Sequence, residues 1–209
     1  MLRKLLLFVV VLISLPSVVC ADDYIVVVPD GFVQREQVPL GVPYIKQRDK
    51  YSCATNSLGM VMAYYDNDTA LKKYSSPSVW EQSECRINTI RKKGNNMNGL
   101  KKAALANGFE NTAYMKADLN KVEYLVANGV PVVANVRARG SKGEYSHAVV
   151  IDGYDADRVH VVDPVKGGFW EAKESFEKRW WAHLSRPKGK KRNTIFVVMP
   201  RDKNLLIED

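Results

Sequence analysis

Gln47-Arg48-Asp49-Lys50-Tyr51-Ser52-Cys53-Ala54-Thr55-Asn56-Ser57-Leu58-Gly59-Met60-Val61-Met62-Ala63-Tyr64-Tyr65 changes from polar to apolar at a cysteine. Ala54, Leu58, Val61, Met62 and Tyr65 recur at near-helical spacing, so a helix starts at Ser52 or Cys53 and stops near Asp66-Asn67-Asp68. Ser52 is a favourable N-cap residue. A thiol at that end lies beside unpaired backbone N–H groups and the positive end of the helix dipole, and both favour the thiolate. Gln47 precedes Cys53 closely enough for its carboxamide to fold back toward the sulfur. With the Cys53 backbone N–H it would bind the oxygen of a tetrahedral intermediate. The stretch alone also fits a small buried cysteine in a core helix.

The thiol finds partners in residues 147–163, His-Ala-Val-Val-Ile-Asp-Gly-Tyr-Asp-Ala-Asp-Arg-Val-His-Val-Val-Asp. Turn chemistry over Gly153 to Asp157 makes this a β-hairpin. Folded about Asp155, it sets His147 directly opposite Asp163, where Cβ atoms are ~4.5–5.5 Å apart and an imidazole–carboxylate hydrogen bond is within reach. The same face carries Val149, Ile151, Val159 and Val161, and is expected to pack on the cysteine helix. An imidazole held by a carboxylate is oriented to take a proton from a thiol, which is the triad arrangement with cysteine as nucleophile. A His–Asp pair that only stabilises the hairpin fits the same residues. His160 falls on the other face, opposite Val150, and Asp152 is on that face too. Asp155 and Asp157 read as turn formers, and His183 as a packing residue in an aromatic helix.

Elsewhere, residues 24–28 read as a strand, and Val38 to Tyr44 is kept extended by Pro39 and Pro43. Residues 70–92 read as broken helix and Lys92 to Asn98 as a polar loop. Leu100 to Ala106 is a short helix stopped by Asn107-Gly108. Asp118 caps a further helix that ends at Asn128-Gly129. Val130 to Val136 is a buried strand, Arg137 to Ser146 a glycine-containing loop, Phe176 to Leu184 a short aromatic helix, and Thr194 to Met199 the last strand. Helices first and strands later argue for α+β.

Composition bounds the function. The 209 residues are 46% hydrophobic and 26% charged, ordinary for one globular domain. Residues 1–21 have the form of an export signal: Arg3 and Lys4, an apolar run from Leu5 to Leu15, then Val19-Cys20-Ala21 before a cut at Asp22. Lipidation at Cys20 is the competing reading, with Val19 a poor fit before it. Losing Arg3 and Lys4 lowers the net charge from +8 to +6. The basic residues are scattered apart from Lys188 to Arg192, which reads as a solvated loop, so no nucleic-acid partner is expected. No other apolar stretch is long enough for stable membrane insertion after signal cleavage. Cleavage leaves Cys53 and Cys85 in an oxidising compartment, where a disulfide between them competes with a free Cys53 thiol. The cysteines and histidines lack zinc-ligand spacing.

The sequence resembles the papain-like cysteine peptidases of the bacteriocin-processing type, family thirty-nine of the cysteine peptidases. The matching stretches are Val42-Pro43-Tyr44-Ile45-Lys46-Gln47, Tyr51-Ser52-Cys53-Ala54, Gly129-Val130-Pro131-Val132-Val133, His147-Ala148-Val149-Val150-Ile151-Asp152-Gly153-Tyr154 and Val161-Val162-Asp163-Pro164, with Phe176 and Trp180 downstream. The resemblance implies a papain-like α+β fold with N-terminal helices and the cysteine helix packed on a C-terminal antiparallel sheet. It implies Cys53 as nucleophile, His147 as general base and acid, Asp163 as orienting residue and Gln47 as oxyanion donor. It implies a peptide or protein substrate and no cofactor. Members of the family remove double-glycine leader peptides, usually as a domain fused to an ABC transporter. This sequence shows neither membrane spans nor a glycine-rich nucleotide loop, and Ser52 stands where transporter-type members often carry an acid.

The expected organisation is a signal over 1–21, an extension over 22–37, a peptidase domain over 38–200 and a tail over 201–209. The expected function is an exported cysteine peptidase. Two other readings stay open: a cell-wall amidase or acyl transferase with the same triad, and a non-enzymatic binding module with Cys53 bridged to Cys85.

Overall fold

The computed structural model describes residues 28, 32, 36, 38–47, 49–67, 74, 97–141, 143–180 and 193–203. In chain order they form α1 (Cys53–Tyr65), α2 (Met97–Ala106), β1 (Asn111–Lys116), α3 (Leu119–Ala127), β2 (Val132–Gly140), β3 (Gly143–Tyr154), β4 (Arg158–Asp163), β5 (Gly167–Ala172), α4 (Lys173–Arg179) and β6 (Thr194–Met199). The strands make one antiparallel sheet in the order β1-β6-β2-β3-β4-β5. The expected elements at 24–27 and over most of 70–92, together with Cys20, Cys85, Trp181 and His183, lie outside the described residues. Among the described residues no helix is long and apolar enough to cross a membrane.

The sheet is covered on both faces, and this decides how its strands read. On one face α1 and α2 bring Leu58, Val61, Met62 and Leu100 against Val133, Ala148, Val150, Val162, Phe196 and Val198. On the other, α3 and α4 bring Val122, Leu125, Val126 and Phe176, with Trp180 just beyond α4, against Val132, Ala134, Val149, Ile151, Val159 and Val161. A strand buried on both faces is a continuous apolar run, so alternation does not tell which face takes which helix. The cysteine helix packs on the Ala148–Val150 face, not on the Val149–Ile151 face expected for it. From Thr55 to Ala63 every residue of α1 is buried, which marks a core helix.

Local signals fixed several boundaries. Asp118 caps α3 by accepting a hydrogen bond from the Lys121 N–H at 2.8 Å, and Gly129, at φ +73°, takes the left-handed turn that ends it. Trp180 is fully buried and donates its indole N–H to the Thr194 carbonyl at 3.1 Å, tying the end of α4 to β6.

Two expectations are corrected. Residues 137–146 are not a loop: β2 and β3 pair to the tip between Gly140 and Gly143, with Arg137 bonded to Glu144 at 2.9 Å. The hairpin of β3 and β4 also has a different register. Its turn spans Asp155 to Arg158, closed by the Asp155 N–H on the Arg158 carbonyl at 2.9 Å. Tyr154 therefore pairs with Val159 and Gly153 with His160, so His160 does not face Val150. A bulge at Asp152 then shifts the pairing to Ile151 with Val161 and Val150 with Val162. The bulge keeps Tyr154 on the same face as Ile151 and Val161 despite the odd step. Continued along the strands, this register puts Asp163 opposite Val149, one same-face step from His147, a diagonal distance that an imidazole can span.

Candidate active site

Cys53 is the first residue of α1, half-buried at the end of the helix and packed against the edge of the core that α1 forms with the sheet. Ser52 is the N-cap as expected, but its hydroxyl makes no capping bond. Asp49 instead shapes the turn that leads into the helix: one carboxylate oxygen accepts the Tyr51 N–H at 2.6 Å and the Ser52 N–H at 2.9 Å, both ahead of the first helical residue. One turn into α1, the Ser57 hydroxyl donates to the Ala148 carbonyl at 3.1 Å. This fixes the start of the helix against β3 one residue past His147.

His147 lies where β3 passes from exposed to buried, since residues 143–146 are exposed and all that follow in the strand are buried. Its Nε2 is 2.9 Å from Asp163 Oδ1, and both side chains are buried. His147 also interacts with Cys53, by hydrogen bond and by charge. Asp163 ends β4, and the same Oδ1 also accepts the Val165 N–H at 2.7 Å. The Tyr145 ring stands edge-on to the imidazole with centroids 6.2 Å apart.

Burial opposes charge on all three groups, and in each case the neighbours win. At Cys53, burial is outweighed by the hydrogen bond and charge of His147 and by the backbone N–H groups of Ala148 and Ala54, so the thiol ionises below its ordinary value. Burial would lower His147, but hydrogen bonds to Asp163 and Cys53 push it up to about 9. Burial would raise Asp163, but His147 and the backbone N–H groups of Val165 and Lys166 hold it below the usual carboxylate range. All three shifts act in one direction, favouring the thiolate–imidazolium–carboxylate arrangement over the neutral thiol and imidazole. Cys53 carries a free thiol, and Cys85, its expected alternative partner, lies outside the described residues.

Gln47 is tied to both halves of this site. Its backbone N–H donates to the carbonyl of Pro164, the residue after Asp163, at 2.7 Å. One hydrogen of its amide goes to the Asp49 carbonyl at 2.5 Å, and its Oε1 is buried without a partner. The second amide hydrogen is not consumed by these bonds.

Sequence reasoning missed Asp49, Ser57 and the pair His160–Asp152, whose Nδ1 and Oδ1 are 2.6 Å apart. Asp49 had a readable signal, an aspartate two and three residues before the amides it accepts. Ser57 had none, because its partner is distant in sequence. Among the described residues no cluster of three or more His, Cys, Asp or Glu side chains is placed to hold a metal ion.

A helix-terminal cysteine beside a buried imidazole–carboxylate pair, with helices packed on an antiparallel sheet, fits the papain-like, cysteine-type peptidases. Comparison with known proteins narrows the class: a model of the Peptidase C39 like family matches residues 39–186, and the chain belongs to that family. Over 139 residues it is 31% identical to the transport/processing ATP-binding protein ComA of Streptococcus pneumoniae. The match covers 66% of this chain and 17% of that much longer protein. Two solved structures share the fold. One is a double glycine motif protease from an AMS/PCAT transporter, in complex with the leader peptide, with TM-score 0.54, 21% identity, and coverage of 80% of this chain and 99% of that one. The other is the peptidase domain of Streptococcus ComA, with TM-score 0.54, 20% identity, and coverage of 77% and 99%.

Proposed function

We propose that residues 38–200 form an exported peptidase in which Cys53, His147, Asp163 and Gln47 cleave a peptide bond. The observation that carries this reading is the line from half-buried Cys53 through buried His147 to buried Asp163. The Cys53 thiolate attacks the scissile carbonyl carbon. The oxyanion is held by the Cys53 backbone N–H and the free hydrogen of the Gln47 amide. As the tetrahedral species collapses, the C–N bond breaks and the His147 imidazolium gives its proton to the departing amine. A thioester remains. Water then attacks it, passing a proton to His147, and the acid product leaves with the thiolate and imidazolium restored. Asp163 keeps the ring oriented throughout.

The substrate class follows from the family. A relative of the same fold was solved with a leader peptide, so peptides carrying a double-glycine motif are the first substrates to try. Export rests on Arg3, Lys4 and the apolar run to Leu15. Terminal sequencing of the secreted chain should find Asp22 first; a chain retained with residues 1–21 attached contradicts export.

Activity should have a bell-shaped dependence on pH. The reactive form needs Cys53 ionised and His147 protonated. On the acid side kcat/KM falls as the thiolate takes up a proton, below the ordinary thiol value. On the alkaline side it falls as His147 loses its proton near pH 9. A profile that rises through ~8.5 to a plateau, as an unassisted thiol would give, contradicts the mechanism.

A further inference from the structure

Asp152 stands outside the catalytic line, yet it is among the most buried charged groups described, 1% exposed. It is the bulged residue of β3. Its Oδ1 meets His160 Nδ1 at 2.6 Å, its Oδ2 accepts the Val42 N–H at 3.2 Å, and its carbonyl accepts the Leu40 N–H at 2.8 Å. One residue thus holds two amides of the strap 39–47. The neighbouring Gly153 permits the contact, since a Cβ there would lie 3.0 Å from the Pro39 Cα. His160 is fixed in turn by the Trp170 ring, with centroids 5.2 Å apart.

The strap ends at Gln47, which binds the Pro164 carbonyl through its backbone N–H, beside the Tyr44 hydroxyl that donates to the same carbonyl at 3.3 Å. Residues 38–47 belong to no helix or strand; Leu40, Val42 and Ile45 anchor the strap in the core, and these hydrogen bonds fix its backbone between those anchors. A bulge re-aims a side chain out of the regular ladder. Here the re-aimed side chain is a carboxylate turned onto the strap.

We propose that Asp152, held by His160, is a positioning residue that fixes the strap 39–47 and so sets where the Gln47 carboxamide enters the site. The inference rests on the oxyanion role of Gln47. Oxyanion donors act only within a narrow range of distance, and losing one costs about 10²–10³-fold in kcat. A loosened strap should lose part of that.

The test pairs hydrogen exchange with kinetics on the mature chain, using a cleavable double-glycine peptide. In Asp152→Ala the peptide covering 38–47 should exchange faster and kcat should fall by about tenfold or more. KM and the rate of Cys53 alkylation by iodoacetamide should stay within about twofold, because the Cys53–His147 pair is untouched. Asp152→Asn keeps an acceptor for the Val42 N–H and should recover most of the rate. Adding Asp152→Ala to Gln47→Ala should slow the enzyme no further than Gln47→Ala alone. If Asp152→Ala does not fold, His160→Ala, which leaves the carboxylate in place but unheld, should move exchange and kcat in the same direction. Unchanged exchange in the strap, losses that add in the double variant, or alkylation slowed in step with kcat overturns the proposal. A Gln47→Ala enzyme with unaltered kcat overturns the oxyanion reading, and with it the catalytic consequence assigned to Asp152. The exchange result still decides separately whether Asp152 fixes the strap.

Discussion

Cys53→Ala is expected to stop peptide hydrolysis, by about 10⁶-fold in kcat, the scale of losing the nucleophile from a unit that works together. The fold should not change. The side chain is replaced by a smaller one at the first position of α1, alanine is the best helix former, and the Asp49 and Ser57 bonds that seat the helix do not involve the thiol. Cys53→Ser should be nearly as inactive, since a hydroxyl does not ionise beside His147 as a thiol does. The check is product formation by mass spectrometry together with a thermal melt. Hydrolysis persisting in a folded Cys53→Ala protein would remove Cys53 from the mechanism. A wild-type chain that binds peptides without cleaving them would favour the binding-module reading.

Asp163→Ala is expected to cost about 10²–10³-fold in kcat/KM. That is less than the ~10⁴ seen for loss of the orienting group where a serine is the nucleophile, because an imidazole can still pair with a thiolate. Two effects combine. The His147 ring loses the bond at 2.9 Å that orients it, and it loses the carboxylate that helps raise it to about 9. The alkaline limb of the pH profile should therefore move down toward the ordinary histidine value of ~6.5. Asp163→Asn separates the effects: its amide oxygen can accept from Nε2 and keep the orientation, but the charge is gone. It should retain more rate than Asp163→Ala while showing a lowered alkaline limb. An unmoved limb in both variants would mean that Asp163 only stabilises the end of β4.

The sequence carried more of the site than of the sheet. The bounds of α1, the Asp118 cap, the stop at Gly129 and the last strand Thr194–Met199 rest on local chemistry and were legible. β1 and β5 were not. They are the two edge strands, and Asn111–Lys116 and Gly167–Ala172 lack the β-branched run of a central strand because half their residues face outward. The arm between Val136 and His147 resembled a loop for a related reason: its residues are mostly small or polar and lie at or near the surface, and only pairing across the arm makes them strands. The pairing of His147 with Asp163 held although the register did not. The true turn and the Asp152 bulge together shift the strands by an even step, which preserves the shared face. Which face received the cysteine helix was not readable, because both faces of β3 are apolar. Asp152 and His160 were set aside for being on the face away from His147; they do bond to each other, and the register shift at Asp152 that accompanies this bond had no signal in the sequence.

The central claim is that Cys53 rests as a thiolate held by His147. The most direct test is the rate of iodoacetamide alkylation of Cys53 in the mature chain, without reductant, across pH 4–9, beside His147→Ala, with the site read by peptide mass spectrometry. Fast labelling of the wild type well below the ordinary thiol pKa of ~8.5, and a profile displaced upward in the variant, are expected. Slow labelling with the same pH dependence in both proteins, or Cys53 recovered in a disulfide, would contradict it.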